Sequence, residues 1–126
     1  MSENPRIVRD YKDLLVWQKA MLLAKEVYEQ TQNFPAEEKF GLIAQMRRAA
    51  VSVPSNLAEG QARSGTGEFL QFISHAEGSL AELDTQFRLS TELRFLDHST
   101  LESMSAKIVE LQKMLSGLRR SLTTNH

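Results

Sequence analysis

Hydrophobic residues recur along the chain at alternating steps of three and four, the spacing of one face of an α-helix. The first such stretch begins near Asp13, a good helix-capping residue type, and runs to about Asn33. It ends at Phe34-Pro35, because a residue before proline is driven out of the helical conformation. Its predicted core stripe is Leu14, Trp17, Met21, Ala24, Tyr28 and Thr31, and a second row, Val16, Ala20, Leu23 and Val27, widens it.

The second stretch spans about residues 36–62 and contains Pro54 in its interior. Proline removes a backbone donor and crowds the preceding turn, so we expect a kink there. The stripe stays in phase across Pro54, which favours a kink over a break. Asn56 is placed to donate to a backbone group that the kink leaves unpaired. The predicted stripe is Phe40, Ile43, Met46, Ala50, Val53 and Leu57.

Two further helices are predicted, at about residues 68–95 and from a cap such as Ser99 to about Leu122. Gly78 interrupts the third helix, and we expect it to let another helix approach closely. The third stripe is Phe69, Ile73, Ala76, Leu80, Leu83, Phe87 and Ser90. The fourth is Leu101, Met104, Ile108, Leu111, Leu115, Leu118 and Leu122.

Four amphipathic helices joined by short connections predict an all-α fold, an antiparallel up-and-down four-helix bundle. The expected bundle covers residues 13–122, after a leader at 1–12 and before a frayed tail at 123–126. The repeat of about 3.5 residues favours shallow, left-handed helix crossings.

The composition restricts the possible functions of the chain more than it restricts the fold. The 126 residues are 41% hydrophobic and 25% charged, which suits one soluble domain, and we expect a cytoplasmic location. The absence of cysteine excludes disulfides, thiolate metal sites and a cysteine nucleophile. The net charge of −1 means that binding to nucleic acid or a membrane would need a local basic patch.

Catalysis and cofactor binding find no support in the sequence. Di-iron sites in helical bundles use a Glu-x-x-His pair, yet Phe72 precedes His75 and Phe95 precedes His98 at that spacing. The turn at 64–67 lacks the lysine and the strand of a phosphate-binding loop. We therefore expect neither an enzyme nor a metal or other cofactor.

Charge is distributed unevenly among the predicted helices. The second helix region is basic, and the third is acidic. Either neighbouring helices or subunits pair these charges, with Arg47 or Arg48 meeting a third-helix carboxylate, or the basic surface binds phosphates. Arg47 and Arg48 project about 100° apart on a helix, so one is expected to pair internally while the other faces outward. The basic candidates are Lys39, Arg47, Arg48 and Arg63.

Several apolar residues lie off the predicted core stripes and would be exposed in a monomer. Such a surface favours association between subunits, so we expect a homo-oligomer. These residues are Leu15, Leu22, Phe72, Leu93 and Leu96.

Three segments resemble a known family. Residues 13–20 read DLLVWQKA, residues 45–60 read QMRRAAVSVPSNLAEG, and residues 78–86 read GSLAELDTQ. Their order is similar to that of the bacterial four-helix-bundle proteins encoded in 23S rRNA intervening sequences. The resemblance runs from about Asp13 to Leu96, and the fourth helix continues it by pattern only.

That family in turn resembles the accessory proteins of diversity-generating retroelements. The resemblance implies a ring-shaped, pentameric homo-oligomer that binds structured RNA or DNA and assists a reverse transcriptase or another large enzyme. It makes Arg47 and Arg48 the leading candidates for phosphate contact, with Lys39 and Arg63 extending the basic strip. It also places Glu59 and Glu82 in internal ion pairs. The alternative is a structural or adaptor protein that binds only protein.

Overall fold

The computed structural model describes residues 10–124, which contain four helices and no strand. The helices are α1 (Leu15–Thr31), α2 (Leu42–Ala62), α3 (Thr66–Glu92) and α4 (His98–Thr124). Short 3₁₀ turns at Tyr11–Asp13 and Ala36–Glu38 precede α1 and α2. The predicted all-α class is confirmed. Residues 1–9 of the expected leader and 125–126 of the tail lie outside the described part, and α4 continues into the expected tail as far as Thr124.

Each helix packs against two others. α2 contacts α1 and α3, and α4 contacts α3 and α1. Along the α3–α4 seam, Glu77 meets Arg119 while Asp84 meets Ser105, so the two helices run in opposite directions. An up-and-down bundle requires this order at every seam. That topology stays a prediction, as does the kink at Pro54.

The stripes predicted for α3 and α4 form the centre of the core. Every predicted residue of α3, from Phe69 to Ser90, is buried. In α4 only the two ends of the stripe, Leu101 and Leu122, are partly exposed. Because both helices have one narrow apolar stripe, the sequence leaves one way to bury them.

Helix α1 buries only part of its predicted stripe, namely Leu14, Ala24 and Thr31. Its buried residues centre on the second row, whereas Met21 and Tyr28 are 46% and 44% exposed. Trp17 is half-buried, with its ring centroid 5.3 Å from that of Tyr11. Two apolar rows on one helix compete for the core. The row that faces both α2 and α4 is the one that becomes buried.

All four predicted helix starts are wrong by a few residues, α3 beginning at Thr66 rather than near Glu68. The side chain of Asp10 caps the first 3₁₀ turn through the Lys12 N–H, and α1 begins after Leu14 without a side-chain cap, so Asp13 is not the N-cap. At α4, Asp97 rather than Ser99 accepts the Thr100 N–H, at 2.8 Å. This hydrogen bond lowers the pKa of Asp97.

Helix α2 begins at Leu42, six residues after the expected start. The segment after Pro35 makes only a 3₁₀ turn, and the chain breaks its helical course before Gly41. The carboxylate of Glu38 then accepts the Leu42 N–H at 3.1 Å. As a result Phe40 lies before the helix and is 88% exposed, so its assignment to the core stripe is wrong.

Helix α2 continues without a break through Pro54. Proline cannot donate to the carbonyl of Ala50, four residues earlier. The amide of Asn56 donates instead to the carbonyl of Ser52, at 2.8 Å. Asn56 therefore bonds a backbone group beside the proline, but not the group that the proline leaves unpaired.

The two helical glycines Gly60 and Gly78 have opposite surroundings. A Cβ at Gly60 would lie 2.7 Å from the Cβ of Phe72 and 2.8 Å from the ring of Phe69, so α2 and α3 meet closely there. A Cβ at Gly78 would have no neighbour within 4 Å. The expectation of close approach at Gly78 is wrong within the chain, and Gly60 has that role.

Candidate nucleic-acid interface

A long groove runs along the outside of the α1–α2 pair. One end is lined by Trp17, Met21 and Pro54 among others, and the opposite end by Lys39, Phe40, Arg47 and Arg48. The two ends meet at Tyr28, Val51 and Ser55, which line both. We call this surface the outer groove. Its lining residues include aromatic rings, aliphatic side chains and cations, but no carboxylate.

Arg47 joins α2 to the end of α1. Its Nε donates to the hydroxyl of Thr31 at 3.0 Å, and its Nη2 donates to the carbonyl of Tyr28 at 3.3 Å. The guanidinium also lies 4.5 Å from the ring centroid of Tyr28, a cation–π contact. Arg47 thus helps to hold α1 on α2, and it is not paired with a carboxylate of α3.

Arg48 and Lys39 are exposed at the same end of the groove. Neither forms an ion pair with any carboxylate of residues 10–124. The ammonium of Lys39 lies 5.5 Å from the ring centroid of Phe40. The two arginines therefore differ as their 100° separation requires, since Arg47 has internal partners and Arg48 faces outward.

Arg63 is separated from this cluster. It follows the last residue of α2, more than five helical turns from Lys39 at about 3.6 residues per turn. Its guanidinium lies 5.1 Å from the ring centroid of Phe72. The structure therefore brings Lys39, Arg47 and Arg48 together and leaves Arg63 out.

The ion pairs expected for Glu59 and Glu82 are absent from the described part of the chain. Both side chains are exposed, and Glu82 only accepts a hydrogen bond from Gln86 at 3.3 Å. Within residues 10–124, the interhelical ion pairs all join α4 to α1 or α3. They are Lys19–Glu110, Glu26–Lys107 and Glu77–Arg119.

Phe40 is a groove residue that the sequence pattern placed in the core, as it did Met21 and Tyr28. Its spacing to Ile43 fits the stripe of α2, which placed it in the core. Gly41 carried the contrary signal, because a glycine at this point favours a helix boundary. A boundary there places residue 40 in a connection, where an apolar ring is free of the helix stripe.

Two other kinds of site find no structural basis in residues 10–124. No group of three or more histidine, aspartate or glutamate side chains is arranged to hold a metal ion. None of the described helices has an apolar stretch long enough to cross a membrane.

The fold and the groove define a class: a small all-α bundle protein with a cationic, partly aromatic surface groove. Its sequence matches the family model described as 23S rRNA-intervening sequence protein over residues 12–117. The chain belongs to this family, as its motifs predicted. No curated protein matches the chain.

A solved structure shows the same fold. It is the crystal structure of a protein of unknown function from the S23 ribosomal protein family of Bacteroides thetaiotaomicron. The two are 19% identical and superpose with a TM-score of 0.78 over 84% of this chain and 96% of the other. At this identity the likeness concerns the fold alone.

Proposed function

We propose that the protein is a non-enzymatic, cytoplasmic, homo-oligomeric bundle that binds structured RNA or DNA through the outer groove. The proposal rests on the exposure of two cations and on their lack of an ion-pair partner among the described residues. Lys39 and Arg48 are exposed beside Arg47, have no ion-pair partner in residues 10–124, and line a groove without a carboxylate.

Phosphate groups are the ligand that such a groove suits best. Contacts from arginine and lysine to phosphates supply most of the affinity in sequence-independent nucleic-acid binding. By contrast, Lys19, Lys107 and Arg119 are already paired with carboxylates at the helix seams. The charges of the outer groove are thus available to a partner, although the whole chain has a net charge of −1.

Fluorescence anisotropy with labelled hairpin RNA and duplex DNA, at low and physiological salt, tests the proposal. The variant is Lys39→Gln/Arg48→Gln. The control is Lys113→Gln/Arg120→Gln, which removes two exposed cations from α4, a helix that does not contact α2. Arg47 is left intact because its loss would disturb the α1–α2 contact.

Binding by the wild type should weaken steeply with salt. The groove variant should bind less tightly, and its slope of log affinity against log salt should be shallower by about 0.7–0.9 per lost phosphate contact. The α4 variant should behave like the wild type. No binding by a folded wild-type protein at low salt, or equal losses in both variants, would contradict the proposal.

The homo-oligomer part of the proposal rests on apolar side chains outside the core. Leu15, Leu22 and Leu93 are 46%, 60% and 49% exposed, more than a small monomer needs to leave in water. The same residues support the alternative of an adaptor that binds only protein. Light scattering measures the oligomeric mass. A stable oligomer without nucleic-acid affinity would favour the adaptor.

In the wider proposal, the bundle serves as an accessory to a larger nucleic-acid enzyme. The family resemblance suggests a reverse transcriptase as the class of partner. Co-purification with a reverse transcriptase encoded beside this chain would support that role. Purification without any such enzyme, from cells that express both, would count against it.

A further inference from the structure

Phe40 is the most exposed large hydrophobic residue of the described chain. It is 88% exposed, while the next, Leu22, is 60% exposed. Phenylalanine is among the residue types most often buried, so a ring exposed to this extent is unusual. Its ring lies at the mouth of the outer groove, on the connection between Pro35 and α2.

The backbone that carries Phe40 is well ordered by hydrogen bonds. The N–H of Lys39 donates to the carbonyl of Ala36 at 3.1 Å, and the N–H of Gly41 donates to the carbonyl of Glu38 at 3.0 Å. The Glu38 carboxylate accepts the N–H of Leu42 at 3.1 Å. Hydrogen bonds therefore fix the backbone of the turn that exposes the ring.

One cation lies close to this ring, and two more line the same end of the groove. The Lys39 ammonium is 5.5 Å from the ring centroid, and Arg47 and Arg48 line the same end of the groove. A matching occupant has a flat face to stack on the ring and negative groups within reach of the cations. An unpaired nucleotide has both, since its base stacks on aromatic rings and its phosphates contact lysine and arginine.

We propose that Phe40 stacks on an unpaired base while Lys39 and Arg48 contact the adjoining phosphates. The site then prefers looped or single-stranded nucleic acid to a continuous duplex, in which the bases stack on one another and leave no face for Phe40. This inference rests on the proposed function, and it adds which form of nucleic acid the groove recognises.

The test compares two labelled RNAs of equal length, a hairpin with a wide loop and a blunt duplex. Phe40→Leu keeps an apolar side chain and removes the aromatic face, whereas Phe40→Trp enlarges that face. Leu22→Ala, on α1 outside the groove lining, is the control for a lost exposed apolar side chain. The oligomeric mass and melting temperature of each variant are measured first.

The wild type should prefer the hairpin. Phe40→Leu should weaken hairpin binding by roughly ten- to a hundredfold and leave duplex binding nearly unchanged. Phe40→Trp should retain hairpin binding, and its added fluorescence should be quenched by the hairpin but not by the duplex. Trp17, the single native tryptophan, gives the background signal in the wild type.

Three outcomes would overturn the inference in distinguishable ways. Salt-dependent binding of both RNAs with no effect of Phe40→Leu would refute stacking and leave the proposed function standing. No binding of either RNA at low salt would refute the proposed function as well. A smaller oligomeric mass in Phe40→Leu, with unchanged RNA binding, would show that a second copy of the chain covers the ring.

Discussion

The two sides of α2 carry similar residues but have different surroundings. Toward α3, Gly60 lets the backbone come so close that even a Cβ would collide with Phe72. Toward the outer groove, Val51 is 42% exposed and Arg48 faces solvent. Valine and alanine occur on both sides, so the neighbouring element, more than residue type, decides which side becomes core.

Polar groups show the same contrast. At the α2–α3 seam the hydroxyls of Ser52 and Ser79 are 2.7 Å apart, and Asn56 donates to Ser52 at 2.9 Å. These groups satisfy each other within the chain. In the outer groove Lys39 and Arg48 form no ion pair with a carboxylate of residues 10–124. The polar groups of the seam are satisfied within one molecule, whereas the two cations of the groove are exposed.

The largest expected effect comes from adding one methyl group to the tightly packed side of α2. Gly60→Ala should destabilise the protein by about 1–3 kcal/mol, because Phe69 and Phe72 must move. Gly78→Ala is the matched change in open space, and it should stabilise by about 0.5–1 kcal/mol through helix propensity. Urea unfolding measures both. Equal effects would mean that the seam is not tightly packed.

A smaller effect is expected from the adjacent arginines. Arg47→Ala removes hydrogen bonds to Thr31 and to the carbonyl of Tyr28, and it should destabilise by about 1 kcal/mol. Arg48→Ala should change stability by less than about 0.5 kcal/mol, because Arg48 is exposed. Thermal unfolding at one salt concentration compares them. A larger loss from Arg48→Ala would reverse the roles assigned to the two.

The smallest effect on stability is expected at the N-terminal cap of α4. This cap touches neither side of α2, so it serves as a reference for the two larger effects. The hydrogen bond from the Thr100 N–H holds the pKa of Asp97 below its unfolded value of 3.8. A depressed folded pKa adds stability above the unfolded pKa, and this stability is lost as the pH falls through the folded pKa.

Asp97→Asn keeps an oxygen that caps the helix but removes the titrating group. The wild type should therefore lose slightly more stability than Asp97→Asn when the pH falls from neutrality to below 3.8. Urea midpoints at both pH values measure the difference. Identical pH profiles would show that the cap does not depend on the charge of Asp97.

The buried face of a helix was predictable where the helix has a single apolar stripe. Ile73 and Leu80 on α3, and Ile108 and Leu115 on α4, are buried as expected. On α1 two rows were apolar, and periodicity alone could not choose between them. The choice depended on which neighbours α1 packs against, and this information is not local to the helix.

The candidate site was predictable only in part. The angle between consecutive residues on a helix already implied different roles for Arg47 and Arg48. Arg63 was expected to extend the basic strip, but the length of α2 separates it from the other cations. Phe40 was misplaced because a spacing of three fitted the helix, while the 3₁₀ turn after Pro35 delays the helix start to Leu42.

In the turn that carries Phe40, the Glu38 carboxylate accepts the first N–H group of α2, and Arg47 joins that helix to the last turn of α1. The conformational entropy of this turn is therefore lost when the chain folds. A ligand that meets a preorganised surface does not have to order it again. In the proposed nucleic-acid complex, loosening the contact between Glu38 and the Leu42 N–H should weaken binding without removing any atom that lines the outer groove.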